Sequence, residues 1–192
     1  MSWTRKVLRI NLSTGRISSE PLKMDWAREY LGQRGLATKY LTEEINPKCD
    51  ALGPENKLIM TTGPLTGTMA ATGGRYSIVT KSPLTGCVAC SNSGGFLGAE
   101  MKSAGWDMII FEGKSPSPVF LHLENETAEL VPADEIWGTS CWHADEWIHR
   151  KYQDPLMRIA VIGRSAEKGC LYAAVVNDLH RGPLRMRQDL VD

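Results

Sequence analysis

The chain has 192 residues, room for one substantial core or two small lobes sharing one, and its 22 Lys and Arg side chains balance 22 Asp and Glu. With no net charge there is no global field to draw the protein onto nucleic acid or an anionic membrane, so any anion site must be local. No apolar run reaches the roughly 20 residues that span a bilayer, residues 1–6 lack the apolar core of a secretion signal, and five cysteines are an odd set in a chain that needs no staples, so the expectation is a cytoplasmic protein without disulfides.

In chain order, Val7-Leu8-Arg9-Ile10-Asn11-Leu12 alternates apolar and polar residues, Ser13-Thr14-Gly15 turns, and Arg16-Ile17-Ser18-Ser19-Glu20 resumes the alternation, which predicts a β-hairpin. Trp26, Tyr30 and Leu31, then Leu36, Tyr40 and Leu41, have helical spacing interrupted by Gly32-Gln33-Arg34-Gly35, so two short helices or one broken helix is expected. Arg34 in the break reads equally as an anion ligand or a solvated connection, and the paired Glu43 and Glu44 read as solvated.

Strands are expected over 57–62, 76–80, 108–112 and 119–123, with a turn near Asn125. A helix over 94–105 would carry Phe96, Leu97, Met101 and Ala104 on one face, and residues 135–152 are the best helix candidate of the second half. Residues 158–163 and 171–176 read as late strands. Helices that do not alternate regularly with strands favour an α+β fold, β-rich, with two related sheet lobes and a few helices.

Residues 63–98 contain eight glycines, Gly63, Gly67, Gly73, Gly74, Gly86, Gly94, Gly95 and Gly98, interleaved with Ser, Thr and Asn. Glycine lets backbone amides approach a ligand closely, and neighbouring inward amides make a concave anion site. Arg75 follows Gly73-Gly74, where its planar guanidinium could grip phosphate bidentately. Asn92, Ser93, Gly94 and Gly95 offer amide, hydroxyl and backbone donors just before a predicted helix N-terminus. Neither G-x-x-x-x-G-K-[ST] nor a helix-opening G-x-G-x-x-G is present, which argues against ordinary ATP or NAD binding. On composition alone, the same glycines could simply make tight turns.

Cys87 and Cys90 form a C-x-x-C, half of many metal or redox sites, but no second pair follows and they read as small residues in a packed segment. His122, His143, His149 and His180 are too scattered for a metal centre and read as surface or capping residues. The six tryptophans read as core and subunit contacts.

The strings Gly63-Pro64-Leu65-Thr66-Gly67-Thr68, Gly74-Arg75-Tyr76-Ser77-Ile78-Val79-Thr80-Lys81-Ser82-Pro83-Leu84-Thr85-Gly86 and Asn92-Ser93-Gly94-Gly95-Phe96 closely resemble the N-terminal domain of the aldehyde ferredoxin oxidoreductase family. Shorter similarities, among them Ala104-Gly105-Trp106-Asp107, Glu112-Gly113-Lys114, Ile136-Trp137-Gly138 and Asn177-Asp178, extend it over nearly the whole chain. The resemblance implies a β-rich base on which a tungsten or molybdenum bis-pterin cofactor lies, its phosphates meeting magnesium, with no metal ligand from this domain. It implies aldehyde oxidation to carboxylate, electrons leaving through a 4Fe-4S cluster to ferredoxin. On matching positions Arg75, Asn92, Ser93, Gly94 and Gly95 would hold the cofactor, and Arg181 would add a second cation, with His180 orienting it.

The departures are local. After Arg181 the family continues with an A-A-G-R-G-G type run, whereas residues 182–192 do not, and Arg164-Ser165-Ala166-Glu167-Lys168 replaces the usual P-A-G-E-N. Residues 1–181 are therefore assigned to the pterin-binding domain and 182–192 to a foreign tail. The helical domains that carry the cluster cysteines and the acids and histidines proposed for aldehyde chemistry have no counterpart here. The expectation is a truncated cradle, inactive alone, with a stand-alone binding or interaction module and a degenerate product without activity as alternatives. A face left bare by missing partners would favour self-association, as in a homodimer.

Overall fold

The structure is a computed structural model that describes residues 3–170 and 173–178. The expected hairpin is β1 (Lys6–Asn11) and β2 (Arg16–Pro21), with Ile10 opposite Ile17 and Gly15 in the turn at φ 69°. Two helices follow, α1 (Met24–Tyr30) and α2 (Gln33–Glu44), separated at Gly32. The break has a steric cause: a Cβ on Gly32 would lie 3.1 Å from Gly63 Cα, Pro64 Cδ and Thr62 O, so only glycine lets the two chain segments cross this closely.

Strands β3 (Lys57–Thr62), β4 (Tyr76–Lys81), β5 (Val88–Ser93) and β6 (Met108–Glu112) complete a six-stranded sheet in the order β2-β1-β6-β3-β4-β5. Only β1 and β6 pair in parallel. Strand β5 was not expected. Its small and polar residues carry little hydrophobic signal, and it is held by the ladder to β4, from Tyr76 opposite Ser93 to Lys81 opposite Val88.

Alternation sorts the core onto two faces. Val7, Ile59, Val79, Met108 and Ile110 pack against Leu36, Ala37, Tyr40 and Leu41 of α2. Each such large apolar side chain contributes roughly 1.5–3 kcal/mol on full burial, enough to seat a helix of modest propensity. The opposite face carries Leu8, Ile10 and Ile109 with Met101 and Trp106, over which lies a ribbon of β7 (Val119–Glu124) and β8 (Thr127–Pro132). Strand β8 is the return arm of the turn read near Asn125.

A charge cluster ties the C-terminal end of α2 to the sheet. Arg9 reaches Glu20 at 2.7 Å, Glu44 at 2.8 Å and Glu112 at 3.3 Å, and Lys57 reaches Glu44 at 2.7 Å and Glu112 at 3.0 Å. The reading of the Glu43 and Glu44 pair as solvated is half corrected: Glu43 is exposed beside Lys39, whereas the Glu44 side chain is only 17% exposed. Burial pushes the Glu44 carboxyl up, but the bonds from Arg9 and Lys57 outweigh it and hold it below its ordinary value.

The second half departs more from expectation. Helix α3 (Leu97–Ser103) is present, but Phe96, expected on its buried face, is 59% exposed beneath the Arg158 guanidinium. Helix α4 (Cys141–Tyr152) begins six residues later than the 135–152 reading, because Gly138 at φ 75° turns the chain and Ser140 caps the helix by accepting from His143 N at 3.2 Å. The strand expected over 158–163 is only β9 (Ala160–Val161), paired with β10 (Val176–Asn177), and a short α5 (Arg164–Glu167) intervenes. Of the strand expected over 171–176, Leu171 and Tyr172 lie outside the described residues. The fold is α+β, as expected; among the described residues the strands after 113 form two two-stranded ribbons beside the one large sheet.

Candidate functional site

Three loops and the start of α2 meet at one end of the sheet, where β3 and β5 finish and β4 begins. The first loop leaves β3 at Gly63 and is closed by Thr66, whose buried hydroxyl accepts from Gly63 N at 3.0 Å and donates to Arg75 O at 3.1 Å. The Gln33 side-chain amide donates to the same carbonyl at 3.0 Å, so the Arg75 backbone is held from two sides. The second loop, after β5, presses against the first. A Cβ on Gly74 would lie 2.6 Å from Gly95 O, and one on Gly98 would lie 3.0 Å from Gly74 O. Side chains at either position would wedge the loops apart.

The third segment is Asn177-Asp178, from the end of β10. Asn177 is fully buried: its Oδ1 accepts from Ser93 Oγ at 2.6 Å and Tyr76 Oη at 3.1 Å, and its Nδ2 donates to Gly94 O at 3.0 Å. Burial pushes the Tyr76 phenol well above its ordinary pKa, so it remains a donor in this network. Asp178 accepts from Phe96 N at 3.1 Å and from Asn177 Nδ2 at 3.0 Å. The negative charge expected at the start of α3 is thus supplied by the chain's own Asp178.

On the open side the balance is reversed. The Arg75 side chain is exposed, donates to Asn92 Oδ1 at 2.5 Å, and makes no ion pair among the described residues. Neither the Gly94 nor the Gly95 amide donates to another described residue, and Gly95 takes φ 101°. The guanidinium and the Asn92 side chain are thus joined beside two backbone amides with no described acceptor, and the neighbouring Asp178 carboxylate is engaged by Phe96 N and Asn177 Nδ2. That donor set suits a phosphate or another multiply charged anion.

Backbone strain gathers at the same end. Leu31 (φ 63°), Gln33 (φ 45°), Thr72 (φ 60°) and Asp178 (φ 49°) are non-glycine residues in the left-handed region, and all lie in or beside these segments. Such conformations cost about 1–3 kcal/mol each and persist where surrounding structure imposes them, commonly at binding sites. The site also lies apart from a large apolar groove among the described residues. That apolar groove of about 800 Å³ is lined by Met60, Ile78 and Phe111 on the other sheet face, whereas Asn92 pairs with Ser77 on the α2 face.

Of the residues singled out in the sequence, the structure brings Arg75, Asn92, Gly94 and Gly95 together. Ser93 is only 4% exposed and supports the loop from behind through Asn177. Arg181 and His180 lie outside the described residues. Arg34 is exposed at the start of α2, near enough to lower the Cys90 thiol pKa, although partial desolvation of that thiol, on a residue exposed overall, dominates and raises it. Cys87 and Cys90 are free and exposed rather than packed, and no cluster of three or more His, Cys, Asp or Glu that could hold a metal occurs among the described residues. His122 stacks on Tyr152 at 4.2 Å and contacts Glu129, and His149 contacts Asp145 and Asp154. Of the tryptophans read as core, Trp106 is 3% exposed but Trp142 is 60% exposed.

Sequence reasoning missed Gln33, Thr66 and Asn177. The first two act through a backbone carbonyl, which leaves no compositional trace; the Asn-Asp pair after an apolar run was the available signal for the third.

The model of the aldehyde ferredoxin oxidoreductase N-terminal domain matches residues 7–186. The chain is 47% identical over 176 residues to the tungsten-containing aldehyde ferredoxin oxidoreductase of Pyrococcus horikoshii, covering 92% of this chain and 29% of that protein. It is 34% identical over 195 residues to the WOR-like subunit of an aliphatic sulfonate oxidoreductase of Pyrococcus furiosus, covering 93% of this chain and 31% of that one. Among solved structures, the active-site complex BamBC of benzoyl coenzyme A reductase with 1,5-dienoyl-CoA superposes with a TM-score of 0.94 at 32% identity, covering 98% of this chain and 29% of that one. The chain therefore spans about three tenths of the length of these relatives. It belongs to the aldehyde ferredoxin oxidoreductase family, to which it corresponds as the N-terminal domain.

Proposed function

We propose that this chain is the cofactor-cradling domain of a tungsten or molybdenum bis-pterin oxidoreductase and is inactive without the remainder of the family's length. The observation that carries this reading is the exposed Arg75 guanidinium beside Asn92 and the Gly94 and Gly95 amides, with no carboxylate paired to it among the described residues. Arg75 would take a cofactor phosphate or the pterin, the turn from Asn92 to Gly95 would supply backbone and side-chain donors, and Arg181 would add a second cation. Magnesium would neutralise the phosphates at this edge. When bound, the metal and its pterins supply two-electron oxidation of an aldehyde to a carboxylate, with electrons passing to a 4Fe-4S cluster and then ferredoxin.

The chain's own residues bind and orient. The network of Asn177, Ser93 and Tyr76 keeps the Gly94 carbonyl turned inward. With that carbonyl engaged, the neighbouring amides are left for the ligand. The test is Arg75→Ala in a full-length relative, with bound metal measured by elemental analysis and pterin by its fluorescence after oxidation. Both should fall while circular dichroism stays unchanged; full cofactor content in the variant would overturn the assignment.

A second reading is supported by the rim of the site, where Leu65 (59%), Met69 (102%) and Phe96 (59%) are exposed. In it, this chain is a module that pairs with a separately encoded polypeptide supplying the remaining length, or with a second copy as a homodimer. Purified chain that is monodisperse and monomeric, with stoichiometric pterin, would favour autonomous cofactor binding over pairing.

A further inference from the structure

We infer that Lys102, held by Asp107, is a positioning residue that sets the placement of Arg75 from the interior of the domain. The inference rests on the reading of Arg75 as the anion ligand proposed above. Lys102 lies on α3 with a side chain only 8% exposed, and its ammonium donates to Asp107 Oδ1 at 2.5 Å and to Gly63 O at 3.0 Å. A buried ammonium needs a counter-charge, and Asp107 provides one. Charge balance alone does not require the second bond, which goes to the carbonyl of the first residue in the site loop.

The same carbonyl accepts from Thr66 N at 3.2 Å, so the ammonium and the loop threonine meet at one atom. Gly63 N donates to Thr66 Oγ1 at 3.0 Å, and Thr66 Oγ1 donates to Arg75 O at 3.1 Å. The other end is anchored as firmly. Asp107 Oδ2 accepts from Arg5 N at 2.7 Å, and Asp107 O accepts from Thr62 N at 2.9 Å and Thr62 Oγ1 at 3.1 Å. The ion pair therefore gathers the approach to β1, the end of β3, the end of α3 and the approach to β6, and hands that fixed reference to one loop carbonyl. The stem of Lys102 also lies under the loop, since a Cβ on Gly67 would sit 3.6 Å from Lys102 Cβ. Among the described residues the Arg75 guanidinium bonds to Asn92 and its backbone carbonyl to Thr66 and Gln33, so a shift of Gly63 passed on through Thr66 moves the guanidinium.

The test uses the 192-residue chain. The double variant Lys102→Met with Asp107→Asn removes both charges, so no unpaired ion stays buried, and it keeps an acceptor for Arg5 N. In ¹H–¹⁵N spectra without ligand, the Asn92 side-chain amide and Arg75 Nε–H signals should move, while the amides of Ile10 and Ile17 in the distant hairpin stay in place. With inorganic pyrophosphate as the probe in calorimetric titration, the double variant should bind about tenfold more weakly than the parent. Adding Arg75→Ala to it should cause no more loss than Arg75→Ala alone, because Lys102 acts through Arg75. A folded double variant with unmoved Asn92 and Arg75 signals would overturn the inference, as would losses that add. Should that variant fail to fold, Lys102→Arg, which keeps the charge but alters the reach, must move the same two signals with the hairpin intact, and unmoved signals there overturn the inference equally. Parent protein that ignores pyrophosphate while the signals still move removes the cofactor reading and leaves the positioning role standing.

Discussion

The two ends of α2 handle charge in opposite ways. At its C-terminal end Arg9 and Lys57 are surrounded by Glu20, Glu44 and Glu112, with side-chain exposures of 14–37%. At its N-terminal end, about 18 Å away by helical rise, Gln33 fastens the backbone of Arg75, whose exposed guanidinium bonds, among the described residues, to the neutral carbonyl of Asn92. Saturated cations hold structure together; a cation left unsaturated on a rigid, strained frame is available to a ligand. Helix α2 joins the two.

Breaking the saturated end should have the largest effect. Arg9→Met leaves Glu20 without its ion pair and Glu44 and Glu112 with Lys57 alone, and should cost about 3 kcal/mol, read as a lower urea midpoint at unchanged slope. If stability is retained, the charge cluster is not what seats α2. At the other end, Gly74→Ala must push Gly95 O from 2.6 Å and should cost about 1–3 kcal/mol, with the change in amide signals confined to the two loops. A spectrum changed throughout the sheet would mean that the loop contact supports the fold rather than the site alone.

Acid sharpens the contrast further. The carboxyls of Glu44 and Glu112 are both pushed up by burial but held below their ordinary value by the bonds and charges of Lys57 and Arg9. Their contribution is therefore complete above about pH 4.3, the unfolded value, and is lost as pH falls through the lower folded values. Glu44→Gln should be less stable than the parent at pH 7, and the gap should close in acid; a gap independent of pH would refute the linkage. The smallest stability effect belongs to Arg75→Ala, within about 0.5 kcal/mol because the side chain is exposed, even though it should abolish anion binding. A large loss of stability there would make Arg75 structural and dissolve the contrast.

Much of this was legible because local pattern and tertiary environment agree. The hairpin from Lys6 to Pro21 joins an alternating period to Gly15 at φ 69°, the break at Gly32 joins a helical period to a glycine that close packing requires, and strand β3 is a short apolar run that ends before Gly63. Strand β5 was illegible because Val88-Ala89-Cys90-Ser91-Asn92-Ser93 has almost no apolar alternation; it is a strand because β4 is beside it. Glu44 was misread for a related reason, since a carboxylate on a helix looks solvated unless its partners, here 35 residues before it on β1 and 13 after it on β3, are known to lie opposite.

Taken alone, the amino-acid sequence determined the fold class, the family and the chemical character of residues 63–98, because glycine spacing, one following arginine and long matching strings are properties of neighbours along the chain. Only the tertiary structure decided which donors remain free. Ser93 is spent on Asn177, while Arg75 and the Gly94 and Gly95 amides are left to the open edge. Whether a polar group supports a site or serves it depends on what lies opposite, and hydrogen bonds between segments 84 or 101 residues apart settle that only when the chain has folded.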